Sequence, residues 1–281
     1  MCITFCIITM NRTRWLANVL SSIRQYCPIK YQVKLLVIGE PDTELKELLK
    51  GKDIHTLTSR VNLACGGGRR LLLQNITTKF AMTMDDDMYL TKGSIEQALA
   101  ILEDPNIGAV AFPQTDPQGH LVSPGGRYLV IKHGVISRIS ARLEPNKKWI
   151  EVQDLDGGAM LMKSEMLKDF TWDGRYWGAF DDLDKSLQIL RVNKWKQAIV
   201  PKARLIHDRS WLEENPEYVN VRLNGMEQRR SYRLFRKKWN LRVDFKTHVL
   251  TEVVIPLLTS IRWEWPRTAL SRFLDIRSGR Q

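Results

Sequence analysis

The chain has 281 residues, 43% of them hydrophobic, and its 43 Lys and Arg against 31 Asp and Glu give a net charge of +12 at neutral pH. This length allows one large domain or two modest ones with a substantial core, and the apolar fraction is that of an ordinary globular protein. The positive charge favours an anionic partner such as a nucleotide, a nucleic acid or an acidic membrane surface.

The cysteines and apolar runs predict a cytoplasmic protein without a membrane span. No two of the four cysteines form a C-x-x-C pair, and Cys2 and Cys6 lie too far apart along an extended strand for a disulfide. The N-terminal run ITFCIIT has no basic segment before it and is followed at once by NRTR, which favours a buried strand over a signal peptide. The longest later apolar stretch, residues 249–261, contains Glu252 and Pro256 and is shorter than the ~20 residues of a spanning helix.

Strands and helices alternate through the first 113 residues. Short apolar runs rich in β-branched residues alternate with segments whose apolar residues lie on one helical face, and a Gly-rich turn leads into the third of these helices. The predicted strands are 3–9, 32–39, 54–58, 79–84 and 107–113, and the predicted helices are 11–26, 42–51, 68–76 and 92–104. This alternation predicts a mostly parallel sheet with helices on both faces, in which ligands bind beyond the carboxyl ends of the strands.

The pattern changes after residue 113. Residues 115–140 are punctuated by Gly and Pro and alternate apolar with polar side chains, as antiparallel hairpins do. No repeat or low-complexity linker separates the two regions, so we treat residues 1–113 and 114–210 as halves of one catalytic domain. Residues 211–281 form a third, basic region.

Asp85, Asp86 and Asp87 follow a predicted strand and therefore lie at the carboxyl edge of the sheet. Their mutual repulsion requires compensation. A divalent cation such as Mg²⁺ or Mn²⁺ would provide it and would also hold a polyphosphate. A solvated acidic turn that caps the next helix is the alternative, so the neighbouring segments must decide between the two.

Two segments at the same edge carry groups suited to a nucleotide. Residues 9–12, TMNR, follow the first strand, where polar side chains and backbone groups would meet a base, although they also fit a helix N-terminus. The glycines at 66–68 permit close backbone approach, and Arg69 or Arg70 would reach phosphate oxygens from there. Taken singly, each segment also fits a purely structural role.

A second acidic cluster lies within residues 177–190, at the start of a predicted helix. Asp181, Asp182 and Asp184 are favoured there by the helix dipole, but a carboxylate facing a nucleotide site is also placed to act as general base for an acceptor hydroxyl. His207 ends a later strand and is either a metal ligand or a buried hydrogen-bonding side chain. The aromatic residues before the cluster either stack on a sugar or fill the core, and they are Trp172, Tyr176, Trp177 and Phe180.

The order of these motifs resembles that of the family 2 glycosyltransferases of the GT-A fold. It comprises a strand followed by TMNR, the turn N-x-x-x-G-G-G-R, the strand-end D-x-D, the segment GGAMLMKSEML and the helix beginning D-D-x-D, over roughly residues 3–207. The resemblance implies an α/β fold with a Rossmann-like, mostly parallel sheet, an antiparallel acceptor-side region and a basic helical tail. Residues 1–113 would then bind the nucleotide sugar, and residues 114–210 would carry the acceptor side and the catalytic base.

The resemblance also implies roles for individual residues. Asp182 takes the position of the catalytic base, and Asp181 stands where glutamate is usual. The nucleotide sugar is expected to contact Thr9, Asn11, Arg12, Glu40, Asn62, Arg69, Asp85 and Asp86. The metal, Mn²⁺ or Mg²⁺, is expected at Asp87 with Asp85 and His207. The acceptor side is expected at Gly157, Gly158, Trp177 and Asp181.

The implied reaction is the metal-dependent transfer of a sugar from a nucleotide-diphosphate sugar, UDP-linked in the first instance, to an acceptor hydroxyl with inversion. The acceptor would be a cell-envelope glycan, a lipid-linked compound or another hydroxyl compound. Two alternatives stay open. One is a nucleotidyltransferase on a related fold, which would release pyrophosphate rather than nucleoside diphosphate. The other is a protein that binds or modifies nucleic acid through its basic tail.

The C-terminal region mixes basic and aromatic side chains. Between residues 222 and 246, nine Lys and Arg are opposed only by Glu227 and Asp244, and the segment RRSYRLFRKKW interleaves basic with aromatic residues. This composition suits an amphipathic helix on anionic lipid, and it predicts peripheral contact with the inner face of the membrane through residues 222–281. A basic helix packed against the catalytic domain is the alternative.

Overall fold

The computed structural model describes residues 1–50, 54–177, 180–214 and 224–244, without the side chains of residues 212 and 213. Its centre is an eight-stranded sheet. In spatial order the strands are β11 (Ile150–Val152), β14 (Lys196–Ile199), β6 (Ile107–Ala111), β13 (Ala159–Lys163), β4 (Phe80–Asp85), β1 (Cys2–Thr9), β2 (Lys30–Ile38) and β3 (Ile54–Ser59).

The described helices are α1 (Thr13–Tyr26), α2 (Thr43–Leu49), α3 (Ala64–Leu72), α4 (Ser94–Leu102), α5 (Asp181–Val192), α6 (Trp211–Glu214) and α7 (Gly225–Trp239), with a 3₁₀ helix at Ser164–Lys168. Strands β3, β2, β1 and β4 are parallel neighbours, which confirms the predicted alternating unit. On α1, buried Trp15, Val19 and Ile23 recur on one face, as the sequence pattern predicted. Each such apolar side chain contributes about 1.5–3 kcal/mol to stability when fully buried.

Strand β13 runs antiparallel to both of its neighbours, β4 and β6. Its first residue, Ala159, pairs with Met84 near the end of β4, and Met160 pairs with Ala111 at the end of β6. The residues that precede β13 therefore meet the carboxyl ends of the parallel strands. This topology brings the second half of the chain to the edge where the triple aspartate lies.

Two four-stranded sheets cover this edge. One has the order β12 (Asp154–Leu155), β9 (Gly126–Lys132), β10 (Val135–Ser140) and β16 (Arg242–Val243), and the other has the order β5 (Met88–Leu90), β15 (Leu205–His207), β7 (Gln114–Thr115) and β8 (Leu121–Ser123). The β9–β10 hairpin confirms the antiparallel pairing expected within residues 115–140. In the other sheet, His207 pairs with Met88, so the end of β15 lies beside Asp87.

The glycine-rich segment differs from its prediction, because residues 66–68 lie inside α3 and not in a turn before it. A Cβ atom on Gly68 would lie 2.5 Å from Ile8 Cδ1, and one on Gly66 would lie 2.9 Å from the Asp173 carbonyl oxygen. Glycine disfavours helices, but here its lack of a side chain lets α3 pack closely on both neighbours. The predicted turn was wrong because this tertiary packing outweighs the low helix propensity of glycine.

Helix α7 packs its apolar face on the catalytic domain. Tyr232 and Phe235 are buried in one cluster with Tyr176 and Phe180. The packed alternative therefore describes this helix, and its apolar face is not available to a lipid surface. Residues 245–281, which also belong to the membrane prediction, lie outside the described residues. Among the residues described, no helix has the length and apolarity needed to cross a bilayer.

Candidate active site

The triple aspartate lies where β4 ends, and a buried arginine compensates part of its charge. Arg12 is 3% exposed and forms a bidentate ion pair with Asp86, which is 1% exposed. Its Nη1 also lies 3.2 Å from Asp87 Oδ2. Burial raises the pKa of Asp86 to about 6, although the charge of Arg12 acts to lower it. Arg12 and Asp86, both expected to contact the nucleotide sugar, therefore hold each other in the interior.

A second buried arginine joins the two acidic clusters. Arg69 Nη2 donates to Asp85 Oδ1 at 3.1 Å, and its Nη1 donates to Asp181 Oδ2 at 3.1 Å and to Asp182 Oδ1 at 3.2 Å. The guanidinium suits this task because its donors point in several fixed directions in one plane. The residue was expected to reach phosphate oxygens, but the structure places it between carboxylates of the two halves.

Two adjacent glycines allow two of these carboxylates to pack closely against the backbone. A Cβ atom on Gly157 would overlap Asp182 Oδ1, and one on Gly158 would overlap Asp85 Oδ2. The Asp85 backbone N–H donates to the Gly158 carbonyl at 2.8 Å. Gly157 and Gly158 were expected on the acceptor side, and they lie just before β13, with Gly157 against Asp182 and Gly158 against Asp85.

The neighbouring carboxylates of α5 have their pKa values moved in opposite directions. Burial, together with the charge of Asp182, raises the pKa of Asp181 to about 6 against the opposing charge of Arg69. Burial also acts to raise the pKa of Asp182, but Arg69 and Lys185 outweigh it and hold that pKa below its usual value. Asp182 is thus ionised at neutral pH and, with 24% of its side chain exposed, is able to accept a proton.

Asp87 and His207 face each other at the end of β4. Asp87 Oδ1 lies 3.7 Å from His207 Nε2, and His207 Nδ1 lies 3.0 Å from Gln114 Oε1. Because the Gln114 oxygen only accepts, this contact uses a proton on Nδ1, and the tautomer with its single proton there leaves the Nε2 lone pair available as a metal ligand. A carboxylate oxygen and an imidazole nitrogen arranged in this way fit a divalent cation.

Within the described part of the chain, no group of three or more His, Cys, Asp or Glu side chains is placed to hold a metal ion. Asp87 and His207 would therefore supply only part of a ligand set. Such a set is typical of sites in which substrate phosphates and water complete the coordination of Mg²⁺. Asp85, the third expected ligand, is instead held by Arg69.

The remaining residues expected at the nucleotide lie around the ends of β1, β2 and β3. Asn11 donates through Nδ2 to the Glu40 carbonyl at 2.8 Å, which joins the ends of β1 and β2. Asn62 Oδ1 accepts the Ala64 N–H at 2.8 Å, at the start of α3. Thr9 is buried at the end of β1 beside Asp86. The fold thus gathers polar groups from three strand ends on one side of Asp85.

Most of the chain before α5 matches a known family. The model of glycosyl transferase family 2 matches residues 4–171, which is more than half of the chain. The chain belongs to glycosyltransferase family 2. It is therefore a glycosyltransferase, and family membership favours glycosyl transfer over the nucleotidyl transfer considered from the sequence. No curated protein sequence matches the chain.

Solved glycosyltransferases share the fold of this family 2 glycosyltransferase. The crystal structure of GalNAc-T7 with UDP, GalNAc and Mn²⁺ matches with a TM-score of 0.61 and 13% identity over 92% of this chain, which spans 58% of that neighbour. The crystal structure of S. aureus TarS 1-349 matches with a TM-score of 0.57 and 13% identity, over 99% of this chain and 81% of the TarS 1-349 chain. TarS 1-349 with UDP-GlcNAc matches with a TM-score of 0.56 and 12% identity, over 100% and 82% of the two chains. At these identities the likeness shows the GT-A fold.

Of the aromatic residues that precede α5 in this glycosyltransferase, three belong to the core. Trp172 and Tyr176 are 1% and 0% exposed, and Phe180 is 9% exposed. Trp177 is half-buried and is the one of the four whose side chain keeps substantial exposure. Its backbone N–H donates to Ser231 Oγ at 2.8 Å.

Two residues near the site were not found from the sequence. Gln114 orients His207, and this contact arises only because β7 pairs with β15, which no local pattern reveals. Lys185 is fully buried and donates to the Leu155 carbonyl at 2.8 Å. Its position three residues after Asp182 was an available signal, since residues three apart on a helix are neighbours.

Proposed function

We propose that this family 2 glycosyltransferase moves a sugar from a nucleoside-diphosphate sugar, UDP-linked, to an acceptor hydroxyl with inversion at the anomeric carbon. The observation that carries the proposal is that one guanidinium, that of Arg69, holds both Asp85 and Asp182. A donor-side and an acceptor-side carboxylate thus converge on one place at the sheet edge. The UDP in the GalNAc-T7 and TarS crystals supports the choice of nucleotide.

In this proposal Asp182 is the general base. It takes the proton of the acceptor hydroxyl as the acceptor oxygen bonds to the anomeric carbon, and the bond from that carbon to the diphosphate oxygen breaks. Attack from the face opposite the leaving diphosphate inverts the configuration. The lowered pKa of Asp182 supports this role because it keeps the carboxylate ionised at neutral pH.

Asp87 and His207 would hold Mn²⁺ or Mg²⁺, with the donor diphosphate and water as further ligands. A cation bound there would neutralise charge that develops on the departing diphosphate. The 3.7 Å separation of Asp87 Oδ1 and His207 Nε2 supports the assignment, and so does the Mn²⁺ in the GalNAc-T7 crystal.

The nucleotide would lie over the ends of β1, β2 and β3, on Thr9, Asn11, Glu40 and Asn62, with Asp85 toward the ribose or the sugar. Arg12 and Asp86 would support this site without contacting the nucleotide sugar, because their buried side chains form an ion pair with each other. Arg69 would act through the carboxylates it binds. Residues 1–113 then form the donor half, and residues 114–210 form the acceptor half with Gly157, Gly158, Trp177 and Asp181.

The acceptor is proposed to be a cell-envelope glycan or a lipid-linked compound at the inner face of an anionic membrane, with the enzyme in the cytoplasm. The exposed side of α7 supports this, since Arg233, Arg236 and Lys237 lie there. Because the apolar face of α7 is covered, the attraction would be electrostatic and weakened by salt. Flotation with anionic and neutral liposomes at low and high salt tests it, and binding that ignores lipid charge would disprove it.

The function is tested with a panel of nucleotide sugars in Mn²⁺, Mg²⁺ or EDTA, by detecting the nucleoside diphosphate released with and without acceptors. Asp182→Asn is expected to bind the donor as the wild type does but to lose roughly 10²–10⁴-fold in transfer. Asp87→Ala should weaken metal-dependent donor binding as well. Glu47→Gln removes an exposed carboxylate on α2 and serves as the control.

Two results would contradict the proposal. Equal loss of donor binding in both aspartate variants would reject the separate roles of base and metal ligand. Release of pyrophosphate in place of nucleoside diphosphate would reject the reaction itself.

A further inference from the structure

Helix α7 lies outside residues 4–171, which match the family, yet it contacts the chain on both sides of Asp182. The first contact precedes the base. Ser231 Oγ of α7 accepts the Trp177 backbone N–H at 2.8 Å, and Ser231 is fully buried. The acceptor-side segment before α5 is therefore fixed to α7 by a buried hydrogen bond.

The second contact is aromatic and lies two residues before Asp182. The Phe180 ring centroid is 5.3 Å from that of Phe235 and 5.7 Å from that of Tyr232. Phe180 has a φ of 68°, a left-handed conformation that is unfavourable for a bulky residue. The two rings of α7 pack on Phe180 in this conformation, which sets the direction in which α5 begins.

The third contact follows two residues after Asp182. Asp184 is 0% exposed, and Trp239 Nε1 donates to its Oδ1 at 2.7 Å while Lys238 Nζ donates to its Oδ2 at 2.9 Å. Among the described residues, Tyr176 and Gln188 also donate to this carboxylate. Half of these donors come from α7, so the first turn of α5 is bound to α7 through a buried charge.

We infer that α7 positions the catalytic base, with Lys238 and Trp239 as positioning residues that act through Asp184. The inference rests on the proposed role of Asp182 as base. Asp182 lies between Phe180 and Asp184, so any rotation of this turn moves its carboxylate relative to an acceptor hydroxyl. Small displacements of a reacting group are costly in rate. The groups proposed to bind the nucleotide lie mainly at the ends of β1, β2 and β3, on other elements than α5, so donor affinity is expected to change little.

The test compares two neighbouring lysines and one tryptophan in the full chain. Trp239→Phe removes one donor and keeps an aromatic ring, and Lys238→Met removes the charge. Lys238→Arg restores the charge, and Lys237→Met is the matched control on the exposed side of the same turn. The measurements are kcat, the acceptor KM, the donor Kd by calorimetry and the melting temperature, with all kinetics taken well below that temperature.

Trp239→Phe and Lys238→Met are expected to lower kcat by about ten-fold or more with the donor Kd nearly unchanged, and Lys238→Arg should recover most of the rate. Unchanged kcat in folded Trp239→Phe and Lys238→Met would overturn the inference, and so would an equal loss of donor affinity. If either variant fails to fold, Ser231→Ala tests the same connection from the other side of the base.

Asp182→Asn is measured in parallel, so that failure of the proposed base can be told apart from failure of the positioning role of α7. If Asp182→Asn retains transfer, the proposed base is wrong and the inference falls with it. If Asp182→Asn abolishes transfer while the α7 variants keep full kcat, the base stands and only the positioning role of α7 is rejected.

Discussion

Arg69 donates a hydrogen bond of 3.2 Å to Asp182, and this contact lowers the pKa of the carboxylate that we propose as the base. Removing the positive charge should therefore raise the pKa of Asp182. In Arg69→Gln we expect the acid limb of the pH–rate profile to move to higher pH. We also expect kcat at neutral pH to fall by roughly 10–100-fold, because Asp85 and Asp182 lose the guanidinium that holds them in place. Arg69→Lys keeps a charge but not the three-way geometry, so its limb should move less while kcat still falls.

The pH dependence of kcat from pH 5 to 9 checks this prediction. Arg70→Gln, a change at the exposed neighbouring arginine, serves as the control. An acid limb that stays in place in Arg69→Gln would show that Arg69 does not tune the base.

Adding a methyl group at Gly157 and adding one at Gly158 should impair different steps, catalysis in the first variant and donor binding in the second. Gly157→Ala would push on Asp182 and place its Cβ 2.8 Å from Arg69 Nη1, whereas Gly158→Ala would push on Asp85 and Met88. We expect Gly157→Ala to lower kcat by roughly ten-fold or more with donor affinity kept, because the base is displaced. Gly158→Ala should instead weaken donor binding. Calorimetry of the donor and steady-state kinetics separate the two, and identical profiles would refute the assignment of one glycine to each half.

Gln114 is expected to affect metal affinity through His207, although it is not itself a proposed ligand. Gln114→Leu removes the acceptor for His207 Nδ1–H and leaves the imidazole free to turn. We expect apparent Mn²⁺ affinity to fall by roughly 10–100-fold, as is typical when such a supporting partner is lost. Titration of Mn²⁺ in the presence of UDP measures it. His120→Gln, in the exposed β7–β8 turn, is the control, and an unchanged Mn²⁺ affinity in Gln114→Leu would argue against His207 as a ligand.

Asp181 predicts how stability depends on pH. Burial raises its folded pKa to about 6, so the folded state holds a proton that the unfolded state has lost between the ordinary pKa and about 6. Stability from this group is therefore fully present below its unfolded pKa and is lost as the pH rises to about 6. Asp181→Asn mimics the protonated form. Between pH 4 and 7 we expect the wild type to lose roughly 1–3 kcal/mol relative to the variant.

Urea unfolding of both proteins at pH 4, 5, 6 and 7 measures this difference. A constant gap between wild type and Asp181→Asn across the range would show that Asp181 stays ionised in the folded state.

Local patterns predicted the parallel part of the sheet because the apolar periodicity of each strand and helix is visible within a short stretch of sequence. The apolar run of β1 and the one-sided apolar pattern of α1 are examples. The placement of Asp85 at a strand end and of Asp182 at a helix start followed from the same local signals, and the structure confirms both positions.

The partners of the site residues were not predictable, because they come from distant parts of the chain. Arg69 was assigned to phosphate since nothing near it in sequence indicates that residues 85, 181 and 182 converge on it. The pattern of α7 likewise specifies an apolar face but not what covers it, and lipid and protein satisfy the same pattern. Both outcomes depend on tertiary packing.

The antiparallel strand β13 also determines when the enzyme becomes complete during its synthesis. Because β13 lies between β4 and β6, the central sheet of a nascent chain stays open until residue 163 has left the ribosome. The ends of β1, β2 and β3, where the nucleotide is proposed to bind, are already made by then, whereas α5 and α7 emerge later. Residues of the proposed donor half are thus synthesised before those of the proposed acceptor half. A chain interrupted before α5 therefore lacks the proposed base, so it cannot carry out the base-assisted transfer proposed here.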